Sequence, residues 1–147
     1  MRWDSYTCFL LLLTSLAEKR ALAKLKGAAM LKIKRVYESA EESDGVRFLV
    51  ERLWPRGIKK KEGLFMETWL KDVAPSPNLR HWFAHDITKW DEFQKRYRAE
   101  LDENPDAWKI ILKTLKRGNV TLLYSARDKE HNSALVLKSF LEERLRN

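Results

Sequence analysis

The chain has 147 residues, of which 44% are hydrophobic and 34% charged, and it carries a formal net charge of +8. This composition fits one folded domain with a real core, and it excludes an intrinsically disordered, fibrous or low-complexity chain. The single cysteine, Cys8, excludes an internal disulfide framework and a cysteine-based zinc site. The positive charge favours anionic partners without choosing among phosphate esters, nucleic acid and acidic lipid.

The first 29 residues differ from the rest of the chain. Residues 8–17 (CFLLLLTSLA) are apolar, as in a short secretory signal, but Asp4 precedes them and basic residues follow at once. The apolar run is also shorter than the roughly 20 residues that a membrane-spanning helix needs. We therefore predict that Met30 is the true start, that residues 1–29, if translated, are a mobile or loosely docked helical extension foreign to the domain, and that the domain occupies residues 30–147. The predicted location is cytoplasmic.

Two strands are predicted at the start of the domain. Residues 31–37 (LKIKRVY) alternate apolar and basic side chains, which is typical of a strand with one solvated face. Residues 46–53 (VRFLVERL) form the second strand, which follows the turn signal Asp44-Gly45 and ends at residues 54–57 (WPRG). Because the linker is too short for a crossover helix, the two strands are predicted to pair as an antiparallel hairpin.

Four helical stretches with apolar faces are predicted next. The last three begin at the capping residues Ser76, Thr88 and Asn104, and Pro follows Ser76 and Asn104 at the first helical position. The aromatic residues of the third face are expected to be largely buried. In chain order the four faces are Met66, Trp69, Leu70 and Val73; Leu79, Trp82 and Phe83; Trp90, Phe93, Tyr97 and Leu101; and Trp108, Ile111, Leu112 and Leu115.

The end of the chain predicts one more strand and one more helix. Residues 119–124 (NVTLLY) are an apolar run of strand length and predict a buried central strand. The last helix is predicted from Lys129 to about Leu145. Strands separated by helices indicate an α/β fold: a single domain in which a small sheet of about three or more strands packs with about five helices.

The junction between the last strand and the last helix is the first candidate site. A loop after a buried strand places backbone N–H groups at the positive end of the next helix, and ligands of open α/β sheets bind at the carboxyl ends of strands. The structural alternative is that Asp128 caps the helix while Arg127 and His131 are ordinary solvated residues. The polar residues of the junction are Ser125, Arg127, Asp128, His131 and Asn132.

The loop after the second strand, residues 51–57 (ERLWPRG), is the second candidate. If the strands that precede the two loops run parallel, both loops share one edge of the sheet. Arg52 and Arg56 would then approach the first loop and clamp an oxyanion with their planar guanidinium groups. The alternative is that Arg52 pairs with Asp44 or Glu51 as part of the scaffold.

His81 and His85 stand four residues apart on a predicted helix face, which is a metal-ligand spacing. The pattern lacks the intervening Glu of the zinc-protease helix and lies at the end of a short helix, so no metal site is predicted. The sequence also has no glycine-rich phosphate loop, and no cofactor is expected.

Four segments carry a resemblance to a known family: VRFLVERLWPRGIKK, WLKDVAPSPNLRHWFAHD, WDEFQKRYRAEL and VTLLYSARDKEHNSALVLKSFL. In this order they resemble the DUF488 family of small bacterial and archaeal proteins, specifically its short YeaO-like branch, from about Leu31 to the last helix. Members typically begin near Met30, which favours an upstream extension. Longer relatives carry cysteines where this sequence has Tyr124 and Asn132, so the resemblance implies that any thiol chemistry of theirs is absent here. The name of the family assigns no function.

Two functions from different classes are left open. The preferred one is a small-molecule α/β domain, whether enzyme or not, that binds a phosphorylated or carboxylated ligand between the two loops. The alternative is a basic binding module for nucleic acid or an acidic protein, which is disfavoured because the aromatic residues fall at core spacing. No membrane partner is predicted. Asp128 and His131 are the candidates for proton transfer, and the predicted ligand-binding residues are Arg52, Trp54, Arg56, Arg80, Tyr124, Ser125, Arg127 and Asn132.

Overall fold

The computed structural model describes residues 29–59 and 68–147. Within this part of the chain three strands form one sheet in the order β1-β3-β2, and both strand pairs are parallel. The strands are β1 (Leu31–Arg35), β2 (Val46–Leu49) and β3 (Val120–Tyr124). The predicted extension lies outside the described residues except for Ala29, and so does Cys8.

Four α-helices pack with the sheet in the described residues, one fewer than predicted. They are α1 (Pro77–Phe83), α2 (Trp90–Glu103), α3 (Lys109–Leu115) and α4 (Ser133–Arg146). The domain is therefore α/β, as the sequence predicted. None of these helices is both long enough and apolar enough to cross a membrane.

The predicted antiparallel hairpin is wrong, because β3 lies between β1 and β2. Val120 pairs with Leu31 on one side and with Val46 on the other. All five residues of β3 are buried, whereas β1 keeps four half-buried positions. The strand without a solvated face therefore takes the centre, and the strands with basic residues take the edges.

The first predicted helical stretch is also wrong where the structure describes it. Trp69 forms an isolated bridge with Leu49, and Lys71–Val73 form a single 3₁₀ turn. The indole N–H of Trp69 donates to the backbone carbonyl of Glu51 at 2.7 Å, which holds this part of the chain extended beside β2. Met66 lies outside the described residues.

Of the three predicted helix caps, Ser76 is confirmed, and Thr88 and Asn104 are not. Ser76 caps α1, with Pro77 at the first helical position, as predicted. Thr88 does not cap a helix with its own side chain. Asp86 instead accepts the backbone N–H of Thr88 at 3.0 Å and opens a 3₁₀ turn that leads into α2. The side chain of Asn104 makes no capping bond at the turn that precedes α3.

The aromatic face of α2 lies in the core. Phe93 and Tyr97 are 3% and 1% exposed, as predicted, but Trp90 is only half-buried. Trp90 is the first residue of its helix, and one edge of its ring system meets the ring of His131 at 5.2 Å between centroids. The start of α2 therefore reaches the rim of the core, next to the loop after β3.

A buried carboxylate, Asp44, ties the link between β1 and β2 to the sheet. It accepts a hydrogen bond from Lys34 Nζ at 3.2 Å and one from the backbone N–H of Glu41 at 3.0 Å, and it lies 3.5 Å from Arg47 Nε. Burial by itself raises the pKa of Asp44, but the hydrogen bonds and the two cations outweigh it and hold the pKa below its usual value.

We expect Asp44→Asn to destabilise the domain at neutral pH and to have a smaller effect in acid. Because the folded-state pKa is the lower one, the carboxylate stabilises the fold above the unfolded-state pKa, and this stabilisation is lost as the pH falls through the folded-state pKa. Urea unfolding at a series of pH values will measure the difference. The control is Asp106→Asn at an exposed carboxylate, and a difference for Asp44→Asn that does not change with pH would contradict the charge-based account.

Candidate functional site

A cavity of about 580 Å³ opens at the carboxyl ends of β2 and β3. This volume is in the range of small-molecule sites, about 300–1,000 Å³. Because β2 and β3 are parallel, the loops that follow them meet at this edge of the sheet. Seven of the residues predicted from the sequence line the cavity: Arg52, Arg80, Ser125, Arg127, Asp128, His131 and Asn132.

Trp54, Arg56 and Tyr124 do not line the cavity. The indole N–H of Trp54 donates to the carbonyl of Ile58 at 2.6 Å, so the chain after Arg52 folds back on itself. Arg56 is exposed, and its backbone carbonyl accepts the hydroxyl of Tyr37. Tyr124 is buried in β3. The structure therefore does not bring Arg56 to the loop after β3.

Arg52 lines the cavity, but its guanidinium is bound to the scaffold. Nε donates to the carbonyl of Pro75 at 3.2 Å, Nη2 donates to the carbonyl of Ala74 at 3.1 Å, and Nη1 lies 3.7 Å from a carboxylate oxygen of Asp72. Within the described residues it makes no hydrogen bond to residues 125–132. Arg52 therefore holds the segment before α1 against the loop after β2, with partners other than those the sequence suggested.

The carboxylate of Glu51 is the site residue that the sequence analysis missed. Its Oε1 accepts hydrogen bonds from the backbone N–H of Ser125 at 2.9 Å and from the Ser125 hydroxyl at 3.3 Å. Burial raises the pKa of Glu51, and the Ser125 hydrogen bonds and the charges of Arg80 and His85 only partly oppose this. One feature of the sequence could have identified Glu51 as a site residue. It is an acidic residue that directly follows three consecutive buried apolar residues at the end of a strand.

Asp128 and His131 form a pair beside the cavity. Asp128 Oδ2 lies 2.9 Å from His131 Nδ1, and Oδ1 accepts the backbone N–H groups of Glu130 and His131. These hydrogen bonds, the one from the Glu130 N–H above all, outweigh some desolvation and hold the pKa of Asp128 below its usual value. Asp128 therefore caps its own loop and not the last helix.

Asn132 caps α4 instead. Its side-chain oxygen accepts the backbone N–H of Leu135 at 3.0 Å, and α4 begins at Ser133, later than the predicted start at Lys129. Asn132 and Ser133 both line the cavity. The positive amino end of this 14-residue helix therefore opens on the cavity.

His81 and His85 do not share a helix face. α1 ends at Phe83, and the next two residues, Ala84 and His85, have positive φ angles of +46° and +58°. This left-handed turn brings His85 to the cavity and leaves His81 exposed on the helix. No group of three metal-binding side chains occurs within residues 29–59 and 68–147.

Comparison with known proteins places the chain beside proteins whose function is unassigned. The family model described as "Inactive DUF488-N3 subclade" matches residues 30–147. "Uncharacterized protein YeaO" of Escherichia coli strain K12 is 43% identical over 111 residues, which are 76% of this chain and 96% of the relative. "Uncharacterized protein Mb3100c" of Mycobacterium bovis is 39% identical over 114 residues, 78% of this chain and 95% of the relative. No solved structure matches significantly.

Proposed function

The chain belongs to the DUF488 family, in the subclade described as inactive, and on this premise we propose that it binds a small phosphorylated or carboxylated molecule without transforming it. The binding site is the cavity at the carboxyl ends of β2 and β3. Its volume fits a small organic molecule, and its walls include the aromatic rings of Phe83 and Phe93.

The observation that carries this proposal is a pair of arginines without partners of their own. Arg80 and Arg127 line the cavity, and within the described residues neither guanidinium makes a hydrogen bond or an ion pair. Arg52, in contrast, is fully engaged with the scaffold. Two available guanidinium groups near the positive end of α4 favour the binding of an oxyanion. Each guanidinium can donate two parallel hydrogen bonds to it.

Binding without chemistry agrees with the roles of the residues around the cavity. The resemblance places cysteines of longer relatives at positions 124 and 132. In this chain Tyr124 is buried in β3 and Asn132 caps α4. The carboxylate of Asp128 is occupied by two backbone N–H groups and by His131. Each of these side chains has a structural role that explains its position without a reaction.

We expect Arg80→Gln and Arg127→Gln each to weaken the binding of inorganic phosphate by about tenfold, the worth of one charge-assisted hydrogen bond. A titration followed by NMR will measure the dissociation constant, with the backbone amides of residues 125–133 as reporters.

Arg56→Gln is the matched control, because it removes the same charge from an exposed position outside the cavity. Its phosphate affinity should stay within about twofold of the parent protein. Equal losses in all three variants would contradict a specific site and indicate attraction by net charge alone.

A further inference from the structure

The cavity contains an acidic group as well as its arginines. Glu51 lines it together with Arg80 and His85, whose charges act on the Glu51 carboxylate without forming an ion pair with it. Within the described residues, both hydrogen bonds to the Glu51 side chain end on one oxygen, Oε1, and both come from Ser125. A carboxylate and a guanidinium therefore share one cavity and do not contact each other.

Within the described residues the Glu51 carboxylate has no cation in hydrogen-bond contact, and a ligand with only an anionic group leaves it so. Bound at Arg80 and Arg127, such a ligand brings a second negative charge into the cavity that Glu51 also lines. The stacked rings of Phe83 and Phe93, 4.3 Å between centroids, belong to the apolar part of its lining. A half-buried carboxylate such as that of Glu51 is stabilised when it is protonated or when a cation pairs with it.

We propose that the ligand is zwitterionic, with an anionic group on Arg80 and Arg127 and a protonated amine on the carboxylate of Glu51. This inference rests on the proposed function and narrows its ligand to small amino-phosphates or amino-carboxylates. The ammonium group donates to the Glu51 carboxylate, while the Ser125 hydrogen bonds fix the position of Oε1. The cavity, about 580 Å³, accommodates both ends of such a molecule.

Charged groups from several elements line the cavity together with Glu51. Arg80 comes from α1, His85 from the turn that follows it, and Arg52 from the loop of Glu51 itself. The loop before α4 adds Arg127, Asp128 and His131. Two of these groups are histidines, so the experiment must separate their effect from that of Glu51.

The test compares 2-aminoethyl phosphate with ethyl phosphate, which has the same phosphate ester and no amine. Isothermal titration calorimetry near neutral pH should show that the parent protein binds 2-aminoethyl phosphate at least about tenfold more tightly, as expected for a charged hydrogen bond to a carboxylate. Glu51→Gln should reduce this preference to less than about threefold and should not weaken the binding of ethyl phosphate.

The outcomes separate this inference from the proposed function. If both esters bind equally to the parent protein and Arg80→Gln weakens both, the anion site stands and the zwitterionic ligand is wrong. A preference for 2-aminoethyl phosphate that survives Glu51→Gln also overturns the role of Glu51. If neither ester binds in a manner that depends on Arg80, both proposals fail.

A second measurement needs no substitution at Glu51. As the pH falls through the pKa of Glu51, which burial raises, the carboxylate takes up a proton and the preference for 2-aminoethyl phosphate should decline. The ammonium group lowers the phosphate pKa of 2-aminoethyl phosphate below that of ethyl phosphate, so the affinity of each ligand is corrected for its own phosphate titration before the ratio is taken. The decline should persist in His85→Asn, and a ratio that stays constant with pH would overturn the inference.

Discussion

Replacing Gly45 by alanine should destabilise the domain by at least about 3 kcal/mol, the combined cost of backbone strain and overpacking. A Cβ at this position would lie 2.0 Å from the carbonyl oxygen of Asn119. The same oxygen accepts the backbone N–H of Val46 at 3.0 Å, where β2 begins beside β3. Gly45 also has a φ of +65° and a ψ of −140°, a conformation that residues with a side chain rarely adopt. The clash can be relieved only if the start of β2 moves away from β3.

Two other glycines provide matched controls for Gly45→Ala. Gly57 has a φ of +79°, but a methyl group added there would have no atom within 4 Å, so Gly57→Ala should cost about 1 kcal/mol from backbone strain alone. Gly118 has open space and no positive φ, so Gly118→Ala should be close to neutral. Urea unfolding of the three variants will rank them. If Gly45→Ala were no worse than Gly57→Ala, contact with Asn119 would not be what requires glycine at position 45.

Phe93→Ala should cost about 3–5 kcal/mol of unfolding free energy, as for other large aromatic residues in protein cores. Phe93 is 3% exposed, and its ring stacks on Phe83 at 4.3 Å, on Trp90 at 5.6 Å and on Tyr97 at 5.9 Å between centroids. Its removal leaves a void between α1 and α2 that neighbouring rings fill only in part.

Trp90→Ala and Ile87→Ala are the comparison variants for the loss of unfolding free energy in Phe93→Ala. Trp90 is half-buried, so its truncation should cost less than that of Phe93 although its side chain is larger. Ile87 is 58% exposed, and its truncation should change stability by about 0.5 kcal/mol or less. Chemical denaturation of the three variants measures the order. A loss for Phe93→Ala no larger than that for Ile87→Ala would show that the aromatic stack does not support the core.

The sequence predicted correctly those structural features that depend on residues close together in the chain. The apolar run at residues 119–124 predicted the buried strand β3, in which the hydroxyl of Thr121 donates to the backbone carbonyl of Asp44. Ser76 followed by Pro predicted the start of α1, since the cap and the fixed φ angle act within one turn. Phe93 and Tyr97 were predicted to be buried from their helical spacing, which is also a property of one segment.

The wrong predictions concern structural features that depend on contacts between distant parts of the chain. The hairpin was predicted from the length of one linker, but the order of the strands was decided by the apolar character of β3. Asp128 and Asn132 are both suitable caps, and the turn after β3 decides which of them meets α4. Glu51 was considered only as a partner for Arg52, because its hydrogen bonds come from Ser125, far away in sequence.

The central place of β3 determines when the domain can fold during synthesis. Within the described residues, and apart from the bridge between Leu49 and Trp69, β1 and β2 pair only with β3, so the sheet cannot form until residues 120–124 have been made. Chain elongation proceeds at about 5–20 residues per second, so both strands wait for several seconds on the ribosome with unpaired edges. Pairings this distant in sequence also form slowly. Within the described residues, a nascent chain that stops before Val120 lacks the central strand of the sheet, so the sheet cannot form until translation is nearly complete.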